Sequence, residues 1–402
     1  MMRRINDITI LLLLLLVATG CCKHDDTIQD EVMIMLNATT SADGTKAMIN
    51  SKDDFISNSY NGSGFGVFGY KSLKSESSSQ AQVPQNLIFN NTEVKPSAAS
   101  GNVTWSYTPI RFWDSNENAY YQFVAYWPHM QSAQDQNNTS APWVENYNVI
   151  GQSTTGNMQI TLHNIPNWQN AADASANDFM VATSNGKYKG SEQGVTHYVD
   201  GIVPFTFHHI LAKLTIKAYY VGVKENHVGV YNITLGQAGN NLLSTSGTVN
   251  YTKPFGGSNN NPAFTDPTKG GSSQVLFNAN ATTPATPHTL LETAFYDEET
   301  PSNTPNCIHE DICTWLIVPT GGWNGLTLDI SYTVGDETTP TQIPVSGINI
   351  GSSETTVQYS MNSGYEYVLT LKFDSSGGGI DVEMVYLKDW TSSNIGYEVY
   401  NW

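Results

Sequence analysis

Apolar and polar residues alternate with a period of two at many places along this chain, and that pattern restricts the fold more than any other feature. Leu326, Leu328, Ile330, Tyr332 and Val334 fall on one side of an extended segment, with Thr327, Asp329, Ser331 and Thr333 on the other. Tyr365, Tyr367, Leu369, Leu371 and Phe373 stand in the same way against Glu366, Val368, Thr370 and Lys372. Ile380, Val382 and Met384 alternate with Asp381 and Glu383, and Met158, Ile160 and Leu162 alternate with Gln159, Thr161 and His163. Successive strand side chains point to opposite faces, so each stretch predicts a strand that is dry on one side and wet on the other. Helical periodicity is nearly absent. Sheets with one apolar face bury it against a second sheet, which predicts an all-β fold of antiparallel sandwiches. Gly-, Ser- and Asn-rich stretches, notably Ser72 to Gln82 and Gly256 to Gln274, read as surface loops.

The chain has 402 residues. That is more than one core normally supports, so two sandwiches in series are expected: residues 47–200 and residues 201–402. No repeat of solenoid or propeller period is present.

The N-terminus specifies where the protein goes. Arg3 and Arg4 precede an apolar stretch from Ile8 to Val17, followed by Ala18-Thr19-Gly20-Cys21. The apolar stretch is about half of the roughly 20 residues that span a bilayer, so residues 1–20 read as a cleaved lipoprotein signal. Cys21 is then the new N-terminus and the lipidation site, with Cys22 as the second candidate. Ala18 stands where leucine is usual. Acyl chains contribute about 0.8 kcal/mol for each buried methylene, so palmitate-type lipidation would hold the chain firmly on a membrane. Lys23-His24-Asp25-Asp26 looks like the tag that sends some lipoproteins to the outer face of the outer membrane.

Composition narrows the function classes. Net charge is −18, and −19 without residues 1–20, where 16 basic and 35 acidic residues remain. So acidic a chain does not bind nucleic acid through phosphate neutralisation. Charged residues make up 13%, against about 25% in ordinary domains, so Asn, Ser, Thr and Gln must form much of the surface. That composition suits an extracellular β-protein.

Four segments carry a family likeness. The first is Gly64-Phe65-Gly66-Val67-Phe68-Gly69-Tyr70. The second runs Trp105-Ser106-Tyr107-Thr108-Pro109, then Phe112-Trp113, then Phe123-Val124-Ala125-Tyr126-Trp127-Pro128. The third joins Asp178-Phe179-Met180-Val181-Ala182 to Phe205-Thr206-Phe207-His208-His209-Ile210-Leu211-Ala212-Lys213-Leu214, and the fourth joins Tyr365-Glu366-Tyr367-Val368-Leu369-Thr370-Leu371 to Asp389-Trp390. In this order and spacing the set resembles the fimbrillin family, the lipoprotein-derived subunits of type V pili. The resemblance implies two transthyretin-like β-sandwich domains, no enzymatic activity, no cofactor, and assembly with other pilus subunits by strand exchange at the cell surface, contributing to adhesion. Read on their own, Trp105, Trp113, Trp127 and Trp390 are large apolar groups at strand positions, and core packing is expected of them before sugar stacking.

In fimbrillins a protease removes the first strand after export. Here Val32, Ile34 and Leu36 alternate with Met33 and Met35 as that strand, within a lipidated N-terminal segment at 21–46. The basic site that follows is Lys46, before Ala47; no arginine occurs between Arg4 and Arg111. Either a lysine-tolerant protease matures the chain at Lys46-Ala47, or the strand stays and the protein is an anchor or terminal subunit.

Cys307 and Cys313 bracket Ile308-His309-Glu310-Asp311-Ile312. Zinc sites pair cysteines at closer spacing, so no metal is expected, and an oxidising compartment favours a disulfide over free thiols. Asp297, Glu298 and Glu299 read as a solvated acidic loop. His208 and His209 sit in an extended run and face opposite ways, so one is expected to be a satisfied core histidine. No His-Glu-x-x-His or Gly-x-Ser-x-Gly is present, and no Gly-rich phosphate loop follows a strand. At the far end Ile395, Tyr397 and Val399 share a face of a terminal strand, either the closing edge of its own sheet or a donor to a neighbour. The rival to a pilus subunit is a glycan-binding outer-membrane surface lipoprotein.

Overall fold

A computed structural model of the chain describes residues 32–40, 52–73, 86–132, 141–146, 158–173, 177–191, 195–237, 244–253, 263–269, 273–279, 286–298, 307–319, 326–337, 340–348, 363–376 and 379–389. These residues are almost entirely β, in four sheets whose strands are numbered along the chain. The first sheet runs in the order β1 (Met35–Thr40), β12 (Ile202–His209), β10 (Met180–Lys187), β5 (Ala119–Trp127), β2 (Phe65–Leu73), β3 (Asn86–Pro96) and β4 (Trp105–Ser106), with β11 (Thr196–His197) beside β10. The second is β16 (Ala263–Lys269), β15 (Ser244–Lys253), β8 (Met158–Pro166), β7 (Trp143–Asn146) and β6 (Gln131–Ser132). The third is β23 (Gly379–Asp389), β22 (Tyr365–Asp374), β13 (Ala212–Val221), β19 (Glu310–Ile317) and β9 (Gln169–Asn170). The fourth is β17 (Ser273–Asn278), β14 (Val228–Gln237), β20 (Leu326–Val334) and β21 (Thr341–Ile348), with β18 (His288–Thr289) beside β14.

The alternating stretches fold as their periodicity requires. Leu328, Ile330 and Tyr332 of β20 and Leu369, Leu371 and Phe373 of β22 meet between the third and fourth sheets, with Leu214, Ile216, Val230 and Ile233. A second core lies between the first two sheets, where Phe68, Tyr70, Val124 and Tyr126 oppose Val144, Ile160, Leu162 and Val249. The other face of the first sheet curls around a third core, rich in aromatics, that includes Phe65, Phe123, Phe205 and Phe207. Trp105, Trp113 and Trp127 lie in that core, as expected; Trp390 is outside the described residues. β5 is buried along its whole length because both of its faces are covered. Its sequence, Ala-Tyr-Tyr-Gln-Phe-Val-Ala-Tyr-Trp, is a nearly continuous apolar run of the kind a doubly covered strand needs.

The glycines of the 64–70 segment make room for these rings. A Cβ on Gly66 would stand 2.4 Å from the Tyr126 ring, and one on Gly69 2.8 Å from Phe89 and 2.9 Å from Phe123. Gly66→Ala therefore forces a strand or a buried ring to move, at an expected cost of about 1–3 kcal/mol, measurable as a lower urea midpoint.

Two features were not legible from periodicity. Residues Lys52–Asn61 form the one α-helix among the described residues, α1, burying Phe55, Ile56 and Ser59. Asp53 and Asp54 in its first turn suit the positive end of the helix dipole. The stretch expected as a loop from Gly256 to Gln274 contains β16, which pairs with β15 through its backbone, and the start of β17. Its Thr- and Pro-containing sequence has no apolar alternation to announce a strand.

Pairing also crosses the position near 200 where the two sandwiches were expected to divide. β12 belongs to the first sheet, pairing with β10 and β1, and β15 pairs with β8 from the other side of that position. In return β9 is added to the edge of the third sheet through β19.

Candidate functional site: the first strand and its clamp

The expected first strand is present. Ile34, Leu36 and Ala38 are fully or almost fully buried in the aromatic core, while Met33 and Met35 face outward. Burying an Ile or Leu side chain contributes about 1.5–3 kcal/mol, so these residues hold the strand more than its edge position does. β1 runs parallel to β12, Met35 opposite Ile202 through Thr40 opposite Phe207. It is the outermost strand of its sheet, and its removal would break no other strand pair.

The start of this strand is clamped by residues 107–113. The Ile34 N–H donates to the Arg111 carbonyl at 2.9 Å, and the Trp113 N–H donates to the Val32 carbonyl at 2.9 Å. Met33 and Phe112 face each other in an antiparallel bridge. The Tyr107 hydroxyl donates to the Ile34 carbonyl at 2.6 Å, and burial pushes its pKa up. Trp113 Nε1 donates to the Gly201 carbonyl at 3.0 Å, tying the clamp to the turn before β12. Gly201 has φ +74, and a Cβ there would meet Trp113 Nε1 at 2.9 Å, so both its conformation and the space around it require glycine. The Trp-Ser-Tyr segment was visible in the sequence, but its role was not, since Tyr107 and Ile34 are 73 positions apart.

Cys21, Lys46, Ala47, Ile395, Tyr397 and Val399 lie outside the described residues. The C-terminal edge leading to the last three is described as far as β23, which pairs antiparallel with β22, Tyr365 opposite Asp389.

The disulfide expected between Cys307 and Cys313 is not formed: both are free thiols. Cys313 packs against the core between the third and fourth sheets, next to a bulge opposite Ile216 and Lys217. Upstream, the Ile308 N–H donates to the Thr293 carbonyl at 2.8 Å and His309 stacks on Tyr219, 4.5 Å between ring centroids. Burial pushes the Cys313 thiol up to about 12 and raises Cys307 as well. Alkylation of the unreduced protein is therefore expected to spare Cys313 at pH 8 while folded and to label both residues once denatured. Mass spectrometry of the alkylated peptides checks this.

His208 is exposed and His209 buried, in line with their opposite faces. His209 Nδ1 lies 2.8 Å from an Asp178 carboxylate oxygen, with both side chains fully buried. Glu298 of the acidic loop reaches Lys372 at 2.5 Å. No group of three or more metal-ligating side chains occurs among the described residues, and no helix among them is long and apolar enough to cross a membrane.

Comparison with known proteins agrees with this architecture. No curated protein matches the sequence. The fold resembles a fimbrial protein from Bacteroides vulgatus, at 15% identity and a TM-score of 0.51 over 89% of this chain and 99% of that one. The tip fimbrial protein Mfa3 from Porphyromonas gingivalis, crystallised with a C-terminal truncation, aligns at 12% identity and a TM-score of 0.35 over 89% of this chain and 100% of that one. The fimbrillin-like family model matches residues 45–390, beginning just after β1 and ending just after β23, and the chain belongs to the fimbrillin-like family.

Proposed function

We propose that this chain is a non-enzymatic subunit of a surface pilus, anchored through lipid on Cys21 in the outer membrane and joined to its neighbours by strand donation. Membership of the fimbrillin-like family supports the pilus role. The observation that carries the anchor reading is β1 itself. It is an edge strand held by three buried side chains and a clamp, and the segment after it offers Lys46 but no arginine. A protease restricted to arginine leaves such a strand in place, so the chain stays tethered as an anchor or terminal subunit. A lysine-tolerant protease cutting at Lys46-Ala47 would release it as a shaft subunit.

The donor is the C-terminal segment with Ile395, Tyr397 and Val399 on one face, which would complete a neighbour's sheet through backbone hydrogen bonds and pockets for alternate side chains. Glycan capture is the weaker reading, because Trp105, Trp113 and Trp127 are committed to the core.

N-terminal sequencing and palmitate labelling of the surface protein test the anchor. A lipidated start at Cys21 is expected, with label lost in Cys21→Ala; a start at Ala47 overturns the anchor role, and label retained in Cys21→Ala overturns the acceptor assignment. Deleting residues 395–402 is expected to abolish multimers while the monomer remains folded and lipidated. Continued polymerisation would refute donation by this segment.

A further inference from the structure

The end of the molecule where β1 begins carries a cluster of exposed apolar side chains. Met33, Ile110, Phe112 and Val199 are 37%, 55%, 48% and 63% exposed. Met33 is bridged to Phe112. Gly201, two residues beyond Val199, packs so closely on Val32 and Met33 that a Cβ there would lie 3.0 Å from Val32 Cγ1 and 3.1 Å from the Met33 carbonyl oxygen. Met33 and Ile110 also line an open concavity of about 460 Å³, together with Met35, Val103 and Ile202. Scattered exposed apolar residues are ordinary, but several gathered around one concavity mark a surface that something covers.

The charge here differs from that of the rest of the protein. Arg111, exposed between Ile110 and Phe112, is the only arginine after Arg4, and Lys52 borders the same concavity. With Asp53, Asp54 and Asp200 nearby in sequence on the same elements, these two cations offset most of the local acid in a chain of net charge −18.

The position of the preceding chain indicates what covers it. Val32 lies within the cluster, and Cys21 is eleven residues earlier. Eleven residues reach at most about 36–40 Å when extended and about 20 Å when relaxed. Acyl chains on Cys21 would hold this end of the molecule within that distance of the bilayer. We propose that the face formed by Met33, Ile110, Phe112 and Val199 rests on the lipid surface, with its apolar side chains at the level of the acyl boundary and Arg111 reaching headgroup phosphates. The tether and this foot together would orient β1 toward the membrane. The inference rests on the lipid-anchor reading for its geometry, but its test does not.

The chain from residue 21 carrying Cys21→Ser and Cys22→Ser has no acyl group. Mixed with vesicles of phosphatidylethanolamine and phosphatidylglycerol, a fraction of it is expected to float with them. Ile110→Ser with Phe112→Ser should lower the bound fraction about fivefold or more, and Arg111→Ser about two- to fivefold. Val275→Ser with Leu291→Ser, also exposed but in the C-terminal half, should leave it unchanged. All variants should keep the wild-type circular dichroism. Absence of flotation, or equal loss in both double variants, overturns the inference. So does a dimer in sedimentation that the Ile110 and Phe112 changes abolish, which would assign the face to a second copy. Palmitate labelling of the full chain fails or succeeds independently of any of these results.

Discussion

Asp178→Ala is expected to destabilise the folded chain by about 3–5 kcal/mol, because it leaves the buried His209 without its carboxylate partner. The two side chains are fully buried at 2.8 Å, and they sit where the first sheet hands over to the third. His209 ends β12, Ile210 and Leu211 are wholly buried, and Ala212 begins β13. The Ile210 N–H donates to the Phe179 carbonyl at 3.0 Å, next to Asp178. A lost partner at this point leaves a polar imidazole in a dry site and loosens the crossing between the sandwiches. Asp178→Asn keeps the shape and one acceptor, so its cost should be smaller than that of alanine. Urea unfolding measures both: the midpoint should fall with the slope unchanged, since the surface exposed on unfolding is the same. A change under about 1 kcal/mol for alanine would mean that other contacts carry the site.

What the sequence disclosed and what it hid follow a physical division. Alternation placed β20, β22 and β8, because each has one dry and one wet face and the side chains record it; it also marked the stretch that pairs as β23. The opposite orientation of His208 and His209 could be read for the same reason. β16 was hidden because an edge strand can pair through backbone groups with little apolar alternation. α1 was hidden because ten residues with only Phe55 and Ile56 as buried apolar groups carry no sustained 3.6-residue period. The clamp on β1 was hidden because each of the four hydrogen bonds that fasten it is accepted by a main-chain carbonyl, and backbone groups leave no trace in residue type. That one of His208 and His209 is a core histidine could be read, yet neither which one nor its partner could, since Asp178 lies 31 positions from His209.

Separating the chain at residue 200 is expected to leave neither half folded. Two independent sandwiches would survive that cut, each with its own core and a linker between them. The strand pairs point the other way. A fragment of residues 201–402 would carry β12 without β10 or β1, and β15 and β16 without β8. Phe205 and Phe207 would be exposed, as would Val249 and Tyr251, which are buried in the intact chain. β19 would lose β9 at its outer edge, along with the Asn167 side chain that accepts from the Val318 N–H at 2.8 Å. The other fragment would lose β12 from the sheet that holds β1, and would expose the β8 edge that β15 covers. Unpaired edges beside exposed aromatic faces favour aggregation over a smaller fold. Expressed separately, both fragments should therefore be insoluble or lack a cooperative thermal transition. Co-expressed, they should associate and recover one, because the pairing information lies in the strands and not in the peptide bond between them. The intact chain should unfold in a single transition by far-UV circular dichroism and by tryptophan fluorescence, with Trp113 and Trp127 reporting on one half and Trp315 on the other. Two separated transitions, or a soluble and cooperative 201–402 fragment, would show that the crossed strand pairs contribute little and that the halves fold alone.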